Sequence, residues 1–373
     1  MTSPMQTKLS IGAAVYNIEE PLLREFIENV IRQLTDETEL LLIDDCSKNN
    51  SGEICREYAE RDGRVRYIRM EKNGGLSRVR NRTIDEAAGK WIFFAYGDDL
   101  LSDHFVETAL RFCETDYDII ILERLKFIDT KENDVPCSVT DLIELPHGAG
   151  RTLSISSLCL DPELGKALGL SSRAFYHAAW GALYRKGFLV QNDLRFPDGQ
   201  KKAQDSVFNT RAYHAAKRIA YLPHIMYYYR NNPQGITRRY SADLPEVFRS
   251  LMQHLDDCMQ EYYPNDPDVE ARYCNHRVMS ILMDLMRLNV FHKDNPKPRG
   301  QRKQDFLSII DSEPYRSAIR RFDPKASGRW EWHLPVSLIK KRKFELLDLF
   351  IGKDFAFRAL CGADKRLQKL LHH

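Results

Sequence analysis

The sequence predicts an α/β fold: a mixed, mainly parallel sheet flanked by helices, with a mostly helical appendage after it. Three observations carry this. Short apolar runs alternate with helix-length amphipathic segments through the first third of the chain. Four polar clusters, Tyr16-Asn17, Asp44-Asp45, Asn73-Gly74-Gly75 and Asp98-Asp99, each follow a run that reads as a strand. From about Ser241 onward, apolar residues recur only at helical spacing (Val247, Leu251, Leu255; Val278, Leu282, Leu285, Leu288).

Taken in order, residues 9–15 (LSIGAAV) form an apolar strand, and a helix starts near Pro21 with Leu22, Phe26, Val30 and Leu34 on one face. Residues 39–43 give a second strand, 51–61 a helix, and 64–70 (RVRYIRM) a half-buried strand by alternation. Asn73-Gly74-Gly75 is a turn, and 76–88 is a helix stopped by Gly89. Residues 91–95 (WIFFA) are too short and too apolar for a good helix and read as a buried parallel strand. A helix over 102–113 and a strand over 118–122 (DIIIL) follow, and 217–222 and 225–230 read as paired strands split by Pro223-His224.

In a parallel sheet the four polar clusters share one edge, where open α/β sheets gather ligands. Asp98 and Asp99 matter most. Two adjacent acids at a strand end need a cation or water to stay ionised together. Mg²⁺ and Mn²⁺ take carboxylate oxygens and keep positions for phosphates. The residues alone leave two readings open, a metal–diphosphate site and a surface turn that opens the helix at Ser102.

At 373 residues the chain predicts two units, 1–240 and 241–373, the first divided near 125. A net charge of +2 implies no strongly basic surface, so no nucleic-acid partner is expected. The eight cysteines form no CxxC and no zinc spacing, which fits a reducing compartment. No signal peptide is read at the N-terminus and no window approaches the ~18 apolar residues of a membrane span, so a cytoplasmic protein is expected.

The stretches LSIGAAVYN, Gln33, ELLLIDDCS, NGGLSRVRNRTIDEAAGKWIFF and GDDLLS resemble, in order and spacing, the nucleotide-sugar-binding half of the family 2 glycosyltransferases. The resemblance implies the GT-A fold, a Rossmann-like sheet flanked by helices, with 1–125 binding the nucleotide sugar and 126–240 the acceptor. It implies that Tyr16 and Asp45 border the base and ribose of the donor, usually UDP. It further implies that Asn73 and Arg80 contact the nucleotide or its phosphates, and that Asp98 holds Mg²⁺ or Mn²⁺ beneath the diphosphate. One departure stands out: where the family's acidic motif reads Asp-x-Asp-Asp, its first Asp is Tyr96 here.

GALYRKGFL, LRFPDG and AQDSVF in the middle of the chain also resemble the family, and Asp205 aligns with its general base. An inverting transfer needs one such base at the acceptor hydroxyl. Gln204 replaces the usual acidic neighbour, which removes like-charge repulsion. The local alternative for Asp205 is an ordinary first-turn helix residue. The tract 230–237 matches a family loop that closes over the donor, and Arg238 and Arg239 after it are either phosphate contacts or part of a solvated turn.

Segment 338–373 carries nine Lys/Arg against four acids, including Lys340-Lys341-Arg342-Lys343 beside an apolar helical pattern. Three readings remain open: peripheral contact with the inner face of an anionic membrane, a homo-oligomer formed through the helical domain, and a helix packed on its own domain. The resemblance implies an inverting hexosyl- or N-acetylhexosaminyltransferase that uses a nucleotide sugar to extend a glycan or lipid-linked acceptor in bacterial surface-polysaccharide assembly. The rival from another class is a catalytically silent sugar-nucleotide- or glycan-binding subunit. A nucleotidyltransferase is disfavoured because VYNIEE lacks a Gly-rich phosphate loop.

Overall fold

In the computed structural model, which describes residues 6–127, 139–230, 239–323 and 332–351, strand β1 is Leu9–Val15 and all but one of its residues are buried. Helix α1 (Glu20–Ile31) follows, entered through Pro21. Its buried face is Leu23, Phe26, Ile27 and Val30, one position round from the Leu22 stripe that the spacing predicts. Each such side chain contributes roughly 1.5–3 kcal/mol of burial. Strand β2 (Thr38–Asp44) is buried throughout, and α2 (Ser51–Arg61), β3 (Val65–Arg69), α3 (Leu76–Glu86) and β4 (Trp91–Tyr96) complete the first half. The strands lie in the order β3-β2-β1-β4, all parallel. Gly12 lets α3 lie directly on β1: a Cβ there would stand 2.1 Å from Thr83 Cγ2.

The next strand is a pair of residues, β5 (Leu100–Leu101), hydrogen-bonded into the sheet. This draws the chain straight past the acid turn and delays α4 to Phe105–Phe112, later than the predicted start at 102. Strand β6 is Ile119–Phe127, β7 is Ile143–Glu144, α5 is Ala149–Cys159 and α6 is Pro162–Ala167. Then β8 (Ala182–Arg185) inserts between β4 and β6, antiparallel to both, and this makes the sheet mixed. Helices α7 (Lys186–Gln191) and α8 (Gln204–Ala215) lead to β9, a single strand over Ile219–Arg230. The predicted pair of strands split at Pro223-His224 is therefore wrong. Residues Tyr221 and Ile225 of β9 face Ile121 and Glu123 of β6, so the intervening residues bulge out of the ladder. Proline has no N–H to give a ladder, and a bulge absorbs it without ending the strand.

The chain forms two compact units, Met1–Ser157 with Pro162–Asn232, and Leu158–Asp161 with Pro233–His373. The second is helical among its described residues. Helix α9 (Leu244–Tyr262) precedes a helical run from Pro267–Arg272 to Met286–Val290 that twice widens into π-helix. Inside this unit Arg277 is buried, donates Nε–H to the Leu158 carbonyl at 2.9 Å, and is pushed down to about 10 by that burial. Helices Arg299–Asp311, Tyr315–Arg321, His333–Lys340 and Phe344–Ile351 complete it. Among the described residues no helix is long and apolar enough to cross a membrane. The tract 231–238, with Arg238, and residues 352–373 of the basic segment lie outside the described residues.

Candidate active site at the strand ends

Strands β1, β2 and β4 are neighbours in register, Val15 opposite Asp44 and Ala14 opposite Tyr96, so their polar C-terminal ends emerge together. At the first end, Tyr16 is 43% exposed, an unusual setting for a large aromatic ring. Asn17, in the left-handed region (φ 50°), accepts the Lys48 N–H on its Oδ1 at 2.7 Å. The loops after β1 and β2 are thereby pinned together.

At the end of β2, Asp44 is fully buried and accepts from Arg69 Nη1 (2.7 Å), the Ser47 N–H (2.8 Å) and Tyr67 OH (3.2 Å). Asp45 accepts the Gly74 N–H at 2.7 Å and the Gly75 N–H at 2.8 Å, while its carbonyl accepts from Asn73 Nδ2 at 3.1 Å. Two of the expected donor-binding residues are thus joined: Asp45 organises the glycine turn and Asn73 ties that turn back to β2. Gly75 (φ 77°) occupies a conformation that glycine enters without steric cost, immediately before α3 begins.

Arg80, on α3, is 3% exposed. Its Nη1 donates to Asp205 Oδ1, and its Nη2 donates to Tyr96 OH at 3.1 Å. Its guanidinium lies 5.1 Å from the Phe196 ring centroid and 5.6 Å from that of Tyr96. Asp205 stands in the first turn of α8, two residues after Ala203, an alanine held in the left-handed region (φ 56°). Strained positions of this kind cluster at functional sites. Burial raises the Asp205 carboxyl; the Arg80 charge and the Ala179 N–H oppose that rise without cancelling it. Loop 194–200 is braced on α3 by Asn81, which donates to the Phe196 carbonyl (3.0 Å) and accepts its N–H (2.9 Å), and by the Arg78–Asp198 ion pair. The arginine expected at the nucleotide and the acid expected as base therefore touch, 125 residues apart in sequence.

At the end of β4 the two acids divide. Asp99 is 1% exposed and accepts Tyr227 OH at 2.6 Å and the Arg230 N–H at 2.7 Å. Arg230 also donates Nε–H to the Asp98 carbonyl at 2.9 Å. Among the described residues no side chain hydrogen-bonds the Asp98 carboxylate. Burial raises Asp98, with Arg230 opposing, and burial and then Asp98 raise Asp99 well above the ordinary range. Two runs of hydrogen bonds, joined through the body of Tyr96, link the two ends of the site. One runs from Asp205 through Arg80 to Tyr96 OH, the other from the Tyr96 N–H to Tyr227 OH (3.1 Å) and on to Asp99. Tyr227 and Arg230 are functional neighbours that local sequence reading does not reveal, because each acts at a distance of about 130 residues along the chain.

Among the described residues no group of three or more Asp, Glu, His or Cys is arranged around a metal position. Of the two acids after β4, Asp98 is the one whose carboxylate accepts no side-chain hydrogen bond among the described residues. A single carboxylate fits Mg²⁺ or Mn²⁺ when substrate phosphates and water complete the shell.

The profile of Glycosyl transferase family 2 matches residues 10–161. The chain is 32% identical over 350 residues to the uncharacterized glycosyltransferase EpsJ of Bacillus subtilis, covering 92% of this chain and 95% of that one. It is 26% identical over 249 residues to the poly(ribitol-phosphate) beta-N-acetylglucosaminyltransferase TarS of Staphylococcus aureus, covering 66% of this chain and 39% of TarS. In three dimensions it is similar to residues 1–349 of S. aureus TarS solved with UDP-GlcNAc, with a TM-score of 0.60 at 18% identity over 94% of this chain and 91% of that one. That likeness gives the GT-A fold.

Proposed function

The chain belongs to the family 2 glycosyltransferases, and from that premise we propose that it transfers a sugar from a UDP-sugar, with inversion, to a hydroxyl of a glycan or lipid-linked acceptor. The contact between Arg80 and Asp205 carries the reading. A base must be ionised to take a proton, yet a well-solvated carboxylate holds protons weakly. Burial raises the proton affinity of Asp205 while Arg80 keeps the ionised form in place, so the pair meets both requirements. Arg80 and the Ala179 N–H also fix the direction in which the carboxylate points, leaving it to accept the acceptor hydroxyl's proton as that oxygen attacks the anomeric carbon.

On the donor side, exposed Tyr16 suits stacking on the base, and the turn built on Asp45 and Asn73 presents its backbone beside the ribose and phosphates. Asp98 would hold Mg²⁺ or Mn²⁺, which supplies charge stabilisation for the departing diphosphate. Arg230, anchored by Asp99, Asp98 and Glu25, sets the shape of this turn.

Bacterial surface-polysaccharide assembly is the setting we propose, and helices His333–Lys340 and Phe344–Ile351 support peripheral contact with an anionic membrane. Leu346 and Leu349 are 42% and 51% exposed there, beside Lys340, Lys341 and Lys343, which form no ion pair among the described residues.

Asp205→Asn tests the central assignment. With a panel of UDP-sugars and Mg²⁺ or Mn²⁺, transfer is expected to fall by roughly 10²–10⁴-fold while UDP affinity stays unchanged. A variant that transfers at the wild-type rate removes Asp205 from the chemistry.

A further inference from the structure

Arg124 lies on β6, the strand that spans the boundary between the donor and acceptor halves near residue 125, and its guanidinium is stacked at 3.8 Å over Phe175, 5.6 Å from Trp180 and 5.9 Å from Tyr229. Trp180 and Tyr229 are themselves parallel, with centroids 5.3 Å apart and an interplanar angle of 5°. This panel borders the reaction centre on two sides. Trp180 follows Ala179, whose N–H donates to Asp205, and it stacks at 4.9 Å on Tyr227, which holds Asp99.

What sets Arg124 apart is the lack of a counter-charge in a partly buried place; Arg56, over Tyr67, forms no ion pair among the described residues either, but it is exposed. Arg24, Arg80, Arg218, Arg230 and Arg299 also lie over aromatic rings, and each is ion-paired to a carboxylate. Arg124 has no ion pair among the described residues, and its Nε is buried without a hydrogen-bond partner. The nearest acids are committed elsewhere: Glu123 to Arg173, Ser171 and Tyr221, and Asp99 to Tyr227 and the Arg230 N–H. A half-buried guanidinium with no anion in contact is costly in the free protein, and a bound oxyanion removes that cost. The planar fork matches phosphate and carboxylate oxygens, and the partly buried faces of Phe175 and Tyr229 suit the apolar faces of a sugar or polyol.

We propose that Arg124 is an acceptor-recognition residue that binds an oxyanion, a phosphate or carboxylate carried by the acceptor, and so holds the neighbouring hydroxyl at Asp205. This rests on the transferase reading above and names the acceptor class for it: an anionic glycan or polyol phosphate.

The test uses sn-glycerol 3-phosphate, glucuronate and glycerol as probes, with ligand-observed NMR titration of the full chain under saturating UDP and Mg²⁺ so that the diphosphate position is occupied. The wild type is expected to bind glycerol 3-phosphate or glucuronate and to ignore glycerol; which of the two binds identifies the oxyanion as phosphate or carboxylate. Arg124→Gln is expected to weaken that binding about tenfold with UDP affinity unchanged. Arg124→Lys, which keeps the charge, retains part of it and serves if the glutamine variant does not fold. Equal binding by Arg124→Gln, no preference over glycerol, or binding of glycerol 3-phosphate and glucuronate only in a control that omits UDP would each overturn the inference. Failure of the wild type to bind UDP would instead strike the donor assignment on which it stands.

Discussion

Two Asp-Asp doublets stand at the C-terminal ends of β2 and β4, the parallel strands on either side of β1, and they differ in what holds them. In Asp44-Asp45 both carboxylates are consumed by the protein: one by Arg69, Tyr67 and the Ser47 amide, the other by the two glycine amides of the turn before α3. In Asp98-Asp99 only the second is consumed, by Tyr227 and the Arg230 amide. The first faces no side-chain donor among the described residues. Identical dipeptides at equivalent places in one fold thus give a loop-building device and an acid whose carboxylate accepts no side-chain hydrogen bond among the described residues. The donors that surround each carboxylate decide which it becomes, not the motif.

That difference can be broken by substitution. Asp98→Ala is expected to lower kcat by about 10³-fold, since the charge stabilisation lost with a metal ligand amounts to several kcal/mol, with little change in melting temperature. Asp44→Ala should do the reverse. It leaves the Ser47 amide and Tyr67 hydroxyl without their acceptor, costing about 1–3 kcal/mol of stability by denaturant unfolding, while kcat in the folded fraction holds. Asp45→Ala falls between them. The glycine turn loses its anchor, and KM for the UDP-sugar should rise about tenfold with kcat much less affected. Matching phenotypes for Asp44 and Asp98 would erase the distinction.

How much of this the sequence discloses follows from range. Strands β1 to β4 and their helices are legible because hydrophobic period and turn chemistry are local, and the polar strand ends mark the edge where the site lies. The antiparallel β8 is not legible, since ALYR between a 3-10 turn and a short helix looks like any brief apolar run. Pro223 reads as a break because a bulge depends on the partner strand. Residues Leu158–Asp161 carry no sign that they pack with the second unit. In the site, the residues themselves point to Asp98 and the family resemblance to Asp205 and Arg80, but the Arg80–Asp205 contact and the clasp of Tyr227 on Asp99 join residues 125 and 128 apart, where no periodicity speaks.

The smallest effect expected concerns the residue that departs from the family's acidic motif. Tyr96 accepts a hydrogen bond from the same guanidinium that holds Asp205. A neutral phenol there leaves Arg80 with Asp205 as its ion-paired carboxylate among the described residues. Tyr96→Asp places a second anion beside Arg80, which weakens its hold on Asp205 and adds like-charge repulsion to it. Both changes favour the protonated form of Asp205, whose carboxyl burial already raises. Because the base must be ionised, activity is lost as pH falls through the folded-state value, so a higher value moves the acid limb of kcat/KM to higher pH. Tyr96→Phe removes only the hydrogen bond, worth about 1 kcal/mol, and should lower kcat/KM roughly fivefold. A limb that stays put or moves down in Tyr96→Asp means that Arg80 does not govern Asp205, and the distinction between clasped and catalytic acids would then have to be drawn elsewhere in the site.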